Sequence, residues 1–468
     1  MRYKNSIALK VIFFGLVLIL FQSCFVAKNY ERPEVLDEAH FRTDLLPQDS
    51  SSLGDLSWRD LFKDAFLTAH IERALENNID IRIALEQLEI ANAYYRQGRA
   101  GYFPTLSARG QVTHQELSAN SQFGSFFSGG ITQYELTATM AWEADIWGKI
   151  RSTKRASQAA YLQTAAAHQG VKTQLIAGVS TLYYQLLMLD AQLELVNQTI
   201  KNRETSYETT QALKDAGLVT AVAVKQTEAQ LLTAKLLKID IERNIVLAEN
   251  MFSILLGETP RKVERSKLEE QILPEELEAG YPASLLSNRP DVMAAEFRLR
   301  EAFELTNVAR SQFYPSLGIS ATSGFQSLEA DLLLNPNSIF ANFVGSLTQP
   351  IFNGRRIRTE YEASKSRQEI ALLQFRQALL TASREVSDAL YSYQATVEKI
   401  DIKNREFEAY TLAVEYSEEL LNYGLANYLE VLTARENTLN SGVQLRILQF
   451  EKLQSVVELY RALGGGRE

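Results

Sequence analysis

Cysteine is almost absent from this chain of 468 residues: Cys24 is the only one, which excludes an internal disulfide framework and a thiolate metal cluster. Histidine is nearly as scarce. The four, His40, His70, His114 and His168, show no HExxH or other ligand spacing, so neither a metal site nor a cofactor is expected. Only ten prolines occur, and none falls between Ile150 and Gly217, so a helix can run through that stretch without a break. After residue 23 no run of 18 apolar residues is found, which argues against a spanning helix there. Basic residues are outnumbered, 48 to 57 acidic, whereas a nucleic-acid binder needs a basic footprint. Catalytic signatures are missing too: there is no GxSxG, no GxxxxGKS/T and no dinucleotide fingerprint. The carboxylates are spread along helical stretches as a solvated face would spread them. A protein that is not an enzyme is expected.

The first residues carry a different message. Arg2, Lys4 and Lys10 precede an apolar run from Val11 to Phe21 that is too short to span a bilayer, and a small residue, Ser23, precedes Cys24. This is the pattern of an export signal over residues 1–23. Its end resembles a bacterial lipoprotein signal, with Phe21 where leucine is usual, so Cys24 is the expected lipidation site. A single acyl chain holds a protein only marginally unless something else also inserts. Loss of residues 1–23 takes away three basic residues and no acidic one, moving the formal charge from −9 to −12. That balance suits an envelope protein.

The chain then says the same thing twice. Asp80, Ala84 and Tyr102-Phe103-Pro104 return 211 residues later as Asp291, Ala295 and Phe313-Tyr314-Pro315. Ile150-Arg151, Ala156, Val179 and Gly217-Leu218 return 207 residues later as Ile357-Arg358, Ala363, Val386 and Gly424-Leu425. A repeat this long is a duplicated domain half. After a polar segment, 24–57, the first copy spans 58–257. It holds a helical stretch from Trp58 to about Ala100, a hairpin at about 105–142, a long helix at about 150–215 and a return helix at about 221–256. A connector at 258–281 leads to the second copy, 282–463, with a helix, a hairpin at about 316–350, a long helix at about 357–422, a return helix at about 428–463, and a tail at 464–468.

Two periodicities define these halves. In Val171, Leu175, Val179, Leu182, Leu186, Leu189, Leu193, Val196 and Ile200 the spacing alternates between four and three, the seam of a coiled coil. Val386, Leu390, Tyr393, Val397, Ile400, Asn404, Phe407, Thr411 and Val414 repeat it in the second copy. Each such rod, at 1.5 Å per residue, is roughly 100 Å long. In the hairpins the period is two: Leu106, Ala108, Gly110 and Val112 alternate with Ser107, Arg109, Gln111 and Thr113, and the other strands follow suit. Four strands with one apolar face leave open edges, which a bilayer does not tolerate, and bacterial membrane barrels need about eight strands or more. One reading is that several chains share a barrel, with Tyr134, Trp142, Phe325, Phe340 and Phe343 toward lipid and Gln111, Thr113, Gln133, Thr139 and Ser320 toward water. The other is an ordinary soluble sheet packed on helices.

The order Asn29-Tyr30-Glu31-Arg32-Pro33, Trp58 with Phe62 and Asp64, Ala74-Leu75-Glu76-Asn77-Asn78, Tyr102-Phe103-Pro104, WEADIWGKIR at 142–151, RPDVMAAE at 289–296, QPIFNGRRIR at 349–358 and YGLANYLEVLTAR at 423–435 resembles the TolC-like outer membrane factors, most nearly their lipidated OprM/NodT branch. The resemblance implies a mixed α and β membrane protein. Three chains would give four strands each to a twelve-stranded outer-membrane β-barrel, continued by a long periplasmic α-helical barrel with coiled-coil packing and an equatorial region. It also implies a homotrimer working with a periplasmic adaptor and an inner-membrane transporter of the resistance-nodulation-division (RND) type, in contact with outer-membrane lipid and not with nucleic acid. The implied function is a passive exit duct for small molecules in a Gram-negative envelope. Gly217, Leu218 and Val219 with Gly424, Leu425 and Ala426 are then the tips that dock the adaptor. Leu429 matches a gate leucine, Thr433 stands where relatives carry an aspartate, and Glu430 is the nearby acid. A type I protein-secretion duct would share this fold, and a periplasmic coiled-coil lipoprotein would explain the rods but not the strands.

Overall fold

The computed structural model describes residues 26–33, 57–118, 120–122, 124, 130–272 and 289–466. The export signal, Cys24, most of the segment 24–57, and residues 273–288 of the connector and its sequel lie outside them. In chain order the elements are α1 (Trp58–Leu61), α2 (Ala65–Asn77), α3 (Ile79–Ala100), β1 (Thr105–Gln115), β2 (Ile131–Ala144), α4 (Lys149–Asp215), α5 (Ala221–Leu255), α6 (Pro290–Ser311), β3 (Ser316–Ser327), β4 (Ile339–Thr348), α7 (Arg356–Asn422) and α8 (Tyr428–Ala462). The duplication is literal: α3 and α6 have 22 residues each, α4 and α7 have 67, α5 and α8 have 35. The four-residue change of offset falls between the strands, in a first hairpin loop from 116 to 130 and a second from 328 to 338.

The helical stretch expected from Trp58 to Ala100 is in fact three helices. Asp64 caps the N-terminus of α2, accepting from the Phe66 and Leu67 amides at 2.8 and 3.2 Å. Short acidic side chains compete for backbone donors in this way and so start helices rather than continue them. Asn78 makes the second break, its extended backbone separating α2 from α3 while its side chain accepts from the Ile81 amide and donates to the Leu255 carbonyl.

The described residues fold into two compact units, each taking pieces of both copies: those within 26–33, 89–163 and 295–375 in one, and those within 57–88, 164–272, 289–294 and 376–466 in the other. In the first unit the strands form one antiparallel sheet in the order β1-β2-β3-β4. Residues opposite one another share a face. Leu106 faces Met140, Met140 faces Ala321, and Ala321 faces Phe343; the rows of Ala108, Gly110 and Val112 carry the same apolar face onward. Arg109 faces Thr137, which faces Gly324, which faces Phe340. Phe340 therefore belongs with the polar face and not, as its aromatic character suggested, with Tyr134, Trp142, Phe325 and Phe343. Within 339–348 apolar residues occur at odd and even positions alike, so alternation leaves the face open and only the register decides it.

The second unit contains a hydrophobic core that α4 threads. Leu175, Val179, Leu182, Leu186, Leu189 and Val196 of the heptad seam are buried there with Trp58, Phe252 and Tyr460. Each such side chain contributes roughly 1.5–3 kcal/mol. The corresponding seam of α7 is different: Val386 is buried, but Val397 is 40% exposed and Asn404 is exposed. Thus the second rod keeps part of its seam open.

Asp64 joins three parts of this core. Its second carboxylate oxygen accepts from the Tyr183 hydroxyl at 2.9 Å, from Gln271 at 2.8 Å and from Ser266. Burial raises its pKa, but the hydrogen bonds from Ser266, Gln271, Tyr183 and the Leu67 amide outweigh burial and leave it below the ordinary carboxylate value. A depressed folded-state pKa stabilises the fold above the unfolded-state value and loses that contribution as pH falls through the folded one. Asp64→Ala should therefore destabilise by roughly 2–3 kcal/mol at neutral pH, and its deficit in thermal midpoint should shrink on acidification below about pH 4. A deficit unchanged down to pH 3 would contradict this assignment.

Candidate gate and docking tips

Both long helices end in the same backbone device. Gly217 has φ 78° and Gly424 φ 72°, the left-handed conformation that only glycine adopts without penalty. At the first tip the Leu218 amide donates to the Leu213 carbonyl and the Gly217 amide to Lys214, both at 2.9 Å. At the second, Leu425 donates to Leu420 at 2.9 Å and Gly424 to Leu421 at 3.0 Å. This crossed pair satisfies the last carbonyls of each rod and reverses the chain. It also leaves Leu218 and Leu425 about three-quarters exposed, at 72% and 76%, with Val219 and Ala426 half-buried beside them. Both return helices are then capped, α5 by Thr220 on the Ala223 amide and α8 by Asn427 on the Leu429 amide. The two tips thus share their turn and differ in the residues that follow it.

Leu429, Glu430 and Thr433 are all exposed at the start of α8. The Thr433 hydroxyl donates to the Leu429 carbonyl at 2.9 Å, so Leu429 and Thr433 lie on one helix face, one turn apart. No carboxylate stands at position 433. Glu430 sits in the first turn, where the helix dipole favours a negative charge.

Sequence reasoning missed what holds α8 in place. Tyr428, next to the cap, has its hydroxyl 3.2 Å from both Thr210 of α4 and Thr227 of α5. Seven residues on, Arg435 donates to Glu418 of α7 at 2.6 and 2.9 Å and also to Ser206. Arg203 of α4, with a side chain only 3% exposed, pairs with Glu436 at 2.8 Å and donates to the Gln230 carbonyl at 2.5 Å. The signal was present in the pattern. Continuing the seam from Val196 and Ile200 by three reaches Arg203, then Tyr207 and Thr210, so the apolar seam turns polar where the tip begins. A polar seam with specific pairs fixes register and can exchange partners, which an apolar seam does less readily.

Among the described residues no group of three or more His, Cys, Asp or Glu is placed to hold a metal ion. No described helix is long and apolar enough to cross a membrane, which leaves a β-barrel open. A duplicated chain with two hairpins in one amphipathic sheet and two heptad rods ending in exposed turns defines a subunit of an envelope channel.

The comparisons with known proteins make that class specific. The family model described as outer membrane efflux protein matches residues 70–258 and again 281–465, once on each copy, and the chain belongs to this family. It is 31% identical, over 88% of its length and 86% of the relative's, to the toluene efflux pump outer membrane protein TtgF of Pseudomonas putida. With the cation efflux system protein CusC of Escherichia coli it shares 27% identity over 96% of this chain and 97% of CusC. The crystal structure of the open state of the Neisseria gonorrhoeae MtrE outer membrane channel superposes with a TM-score of 0.84 at 26% identity, covering 94% and 98% of the two chains. The protein is an outer-membrane efflux channel component of the Gram-negative envelope.

The polar seam makes a measurable statement about the tips. Arg203→Ala leaves Glu436, whose side chain is 38% exposed, and the Gln230 carbonyl without their buried partner, at a cost of roughly 1–3 kcal/mol. Amides near 205–215 and 428–436 should then exchange hydrogen at least tenfold faster, while those of the core around Val179 keep their protection. Unchanged exchange at the tips would mean that Arg203 does not hold them.

Proposed function

We propose that the protein is the passive exit duct of a tripartite efflux system. Three chains share a twelve-stranded barrel in the outer membrane, and their rods continue as a tunnel through the periplasm. The observation that carries this reading is the amphipathic four-stranded sheet with β1 and β4 at its ends, because such edges must be closed in lipid. Exposed apolar side chains support it: Leu232, Leu236 and Ile239 on α5 and Ile370, Leu373 and Leu380 on α7 offer two flanks for neighbouring copies. An acyl chain on Cys24 would add to the anchoring that the barrel supplies.

Gly217, Leu218 and Val219 with Gly424, Leu425 and Ala426 form the periplasmic tips, and a periplasmic adaptor docks there on exposed leucines. The adaptor joins the duct to an inner-membrane transporter of the RND type, which supplies the energy. Leu429 is the gate residue, with Thr433 one turn behind it; Glu430 is the nearest source of negative charge. Opening moves α8 away from α4, so it exchanges the Tyr428 and Arg203–Glu436 contacts for others, and an adaptor drives it only by binding the open arrangement more tightly. The related pumps are named for toluene and for cations, and small hydrophobic molecules or cations are the cargo classes proposed for this duct.

Planar-bilayer recording tests the gate and the duct together. The purified protein should insert and conduct, and Leu429→Ala should raise its conductance severalfold by removing the bulkiest exposed side chain of α8's first turn. Failure to insert would remove the duct; insertion with unchanged conductance in Leu429→Ala would remove Leu429 from the gate.

A further inference from the structure

The two hairpins obey the duplication to the residue. Thr105 pairs with Ala141 and Ser316 with Thr348; position 316 follows 105 by 211 and 348 follows 141 by 207, the offsets that relate the copies elsewhere. The remaining pair, β2 with β3, joins the second strand of one copy to the first strand of the other, with Ala144 opposite Leu317 and Trp142 opposite Ile319. Its counterpart under the same duplication is β4 with β1. Those are the two strands at the ends of the sheet.

We propose that β4 pairs with β1 of a second copy of this chain in the register that β2 and β3 already display: Gly345 opposite Val112 of the partner subunit, and Ser346 opposite Gln111 of the partner subunit. This rests on the shared barrel argued above and goes beyond it by fixing which residues meet. Two independent observations agree with it. On β4 the apolar face falls on odd positions such as Phe343 and Leu347, and on β1 it falls on even positions such as Leu106 and Val112. The register sets odd against even, so the apolar face stays continuous across the joint, whereas a slip of one residue would invert it. The same register carries Ile351, 93% exposed, opposite Leu106 of the partner subunit, whose counterpart in this chain is 78% exposed. These are two of the most exposed apolar side chains near the sheet. The row that begins at Leu106 and crosses Met140, Ala321 and Phe343 then arrives at His114 of the partner subunit, a steady advance along the strands that a tilted, closed barrel requires.

Cysteine pairs in the full-length protein test the register. Neighbouring positions alternate between the two antiparallel pairing geometries, so the double variants Val112→Cys with Gly345→Cys and Gln111→Cys with Ser346→Cys together sample both. At least one should form intersubunit disulfides, seen as covalent trimers in denaturing gels without reductant. The controls Val112→Cys with Leu347→Cys and Val112→Cys with Phe343→Cys, two residues out of register, should cross-link at least tenfold less. Each single-cysteine variant excludes pairing through Cys24. Size in mild detergent is measured on the same samples. Trimers in which the controls close preferentially, or in which neither in-register pair closes, overturn the register and leave the shared barrel standing. Folded monomers overturn the shared barrel itself.

Discussion

The constraint on which the rest depends is the obligation of every backbone N–H and C=O in a bilayer to find a partner. Four antiparallel strands satisfy their inner pairs and leave the outer sides of β1 and β4 to be closed by something other than lipid. The apolar face that runs from Leu106 through Met140 and Ala321 to Phe343 is suited to hydrocarbon, and the face that runs from Arg109 through Thr137 and Gly324 to Phe340 is the more polar one. A sheet of this kind is incomplete in one chain. Closure of such a sheet by further copies sets the symmetry of the whole assembly.

Duplication is what lets three chains behave as six similar units, and the differences between the copies are where function resides. The rods have the same length and the same terminal turn, yet α4 buries most of its seam within the chain while α7 leaves Val397 and Asn404 open. The return helices differ as sharply. α5 exposes Leu232, Leu236 and Ile239, whereas on α8 Leu429 is the large apolar side chain left exposed. A helix with an exposed apolar flank is suited to permanent packing against a neighbour. One with a mostly polar exposed face, held by Tyr428, Arg435 and Glu436, can be released by exchanging a few polar contacts. The gate proposed at Leu429 lies in the copy whose return helix is held by polar groups.

Much of this was legible in the sequence because period and repeat are written along it. The alternation around Leu106 and Val112 fixed a strand, the four-three spacing from Val171 to Ile200 fixed a coiled-coil seam, and Gly217 and Gly424 marked the turns. What escaped depended on contacts between distant residues. The face of Phe340 escapes the alternation because Ile339, Phe340, Phe343 and Val344 satisfy either phase, and only pairing with Gly324 decides it. The breaks at Asp64 and Asn78 are hidden because apolar spacing continues across them; the further partners that anchor these two capping side chains, Tyr183 and Leu255, lie over a hundred residues away. Arg203 and Glu436 are more than two hundred residues apart; the heptad phase marks Arg203 as a polar seam position, but nothing local marks Glu436 as its partner.

If one chain is a third of a membrane barrel, the protein must exist in the membrane as three copies. The most direct measurement is the native mass, in mild detergent, of protein extracted from the isolated outer membrane. Three copies per particle, recovered from the outer-membrane fraction, is the predicted result. A folded single copy, or recovery of the protein in the soluble periplasmic fraction, would contradict the account.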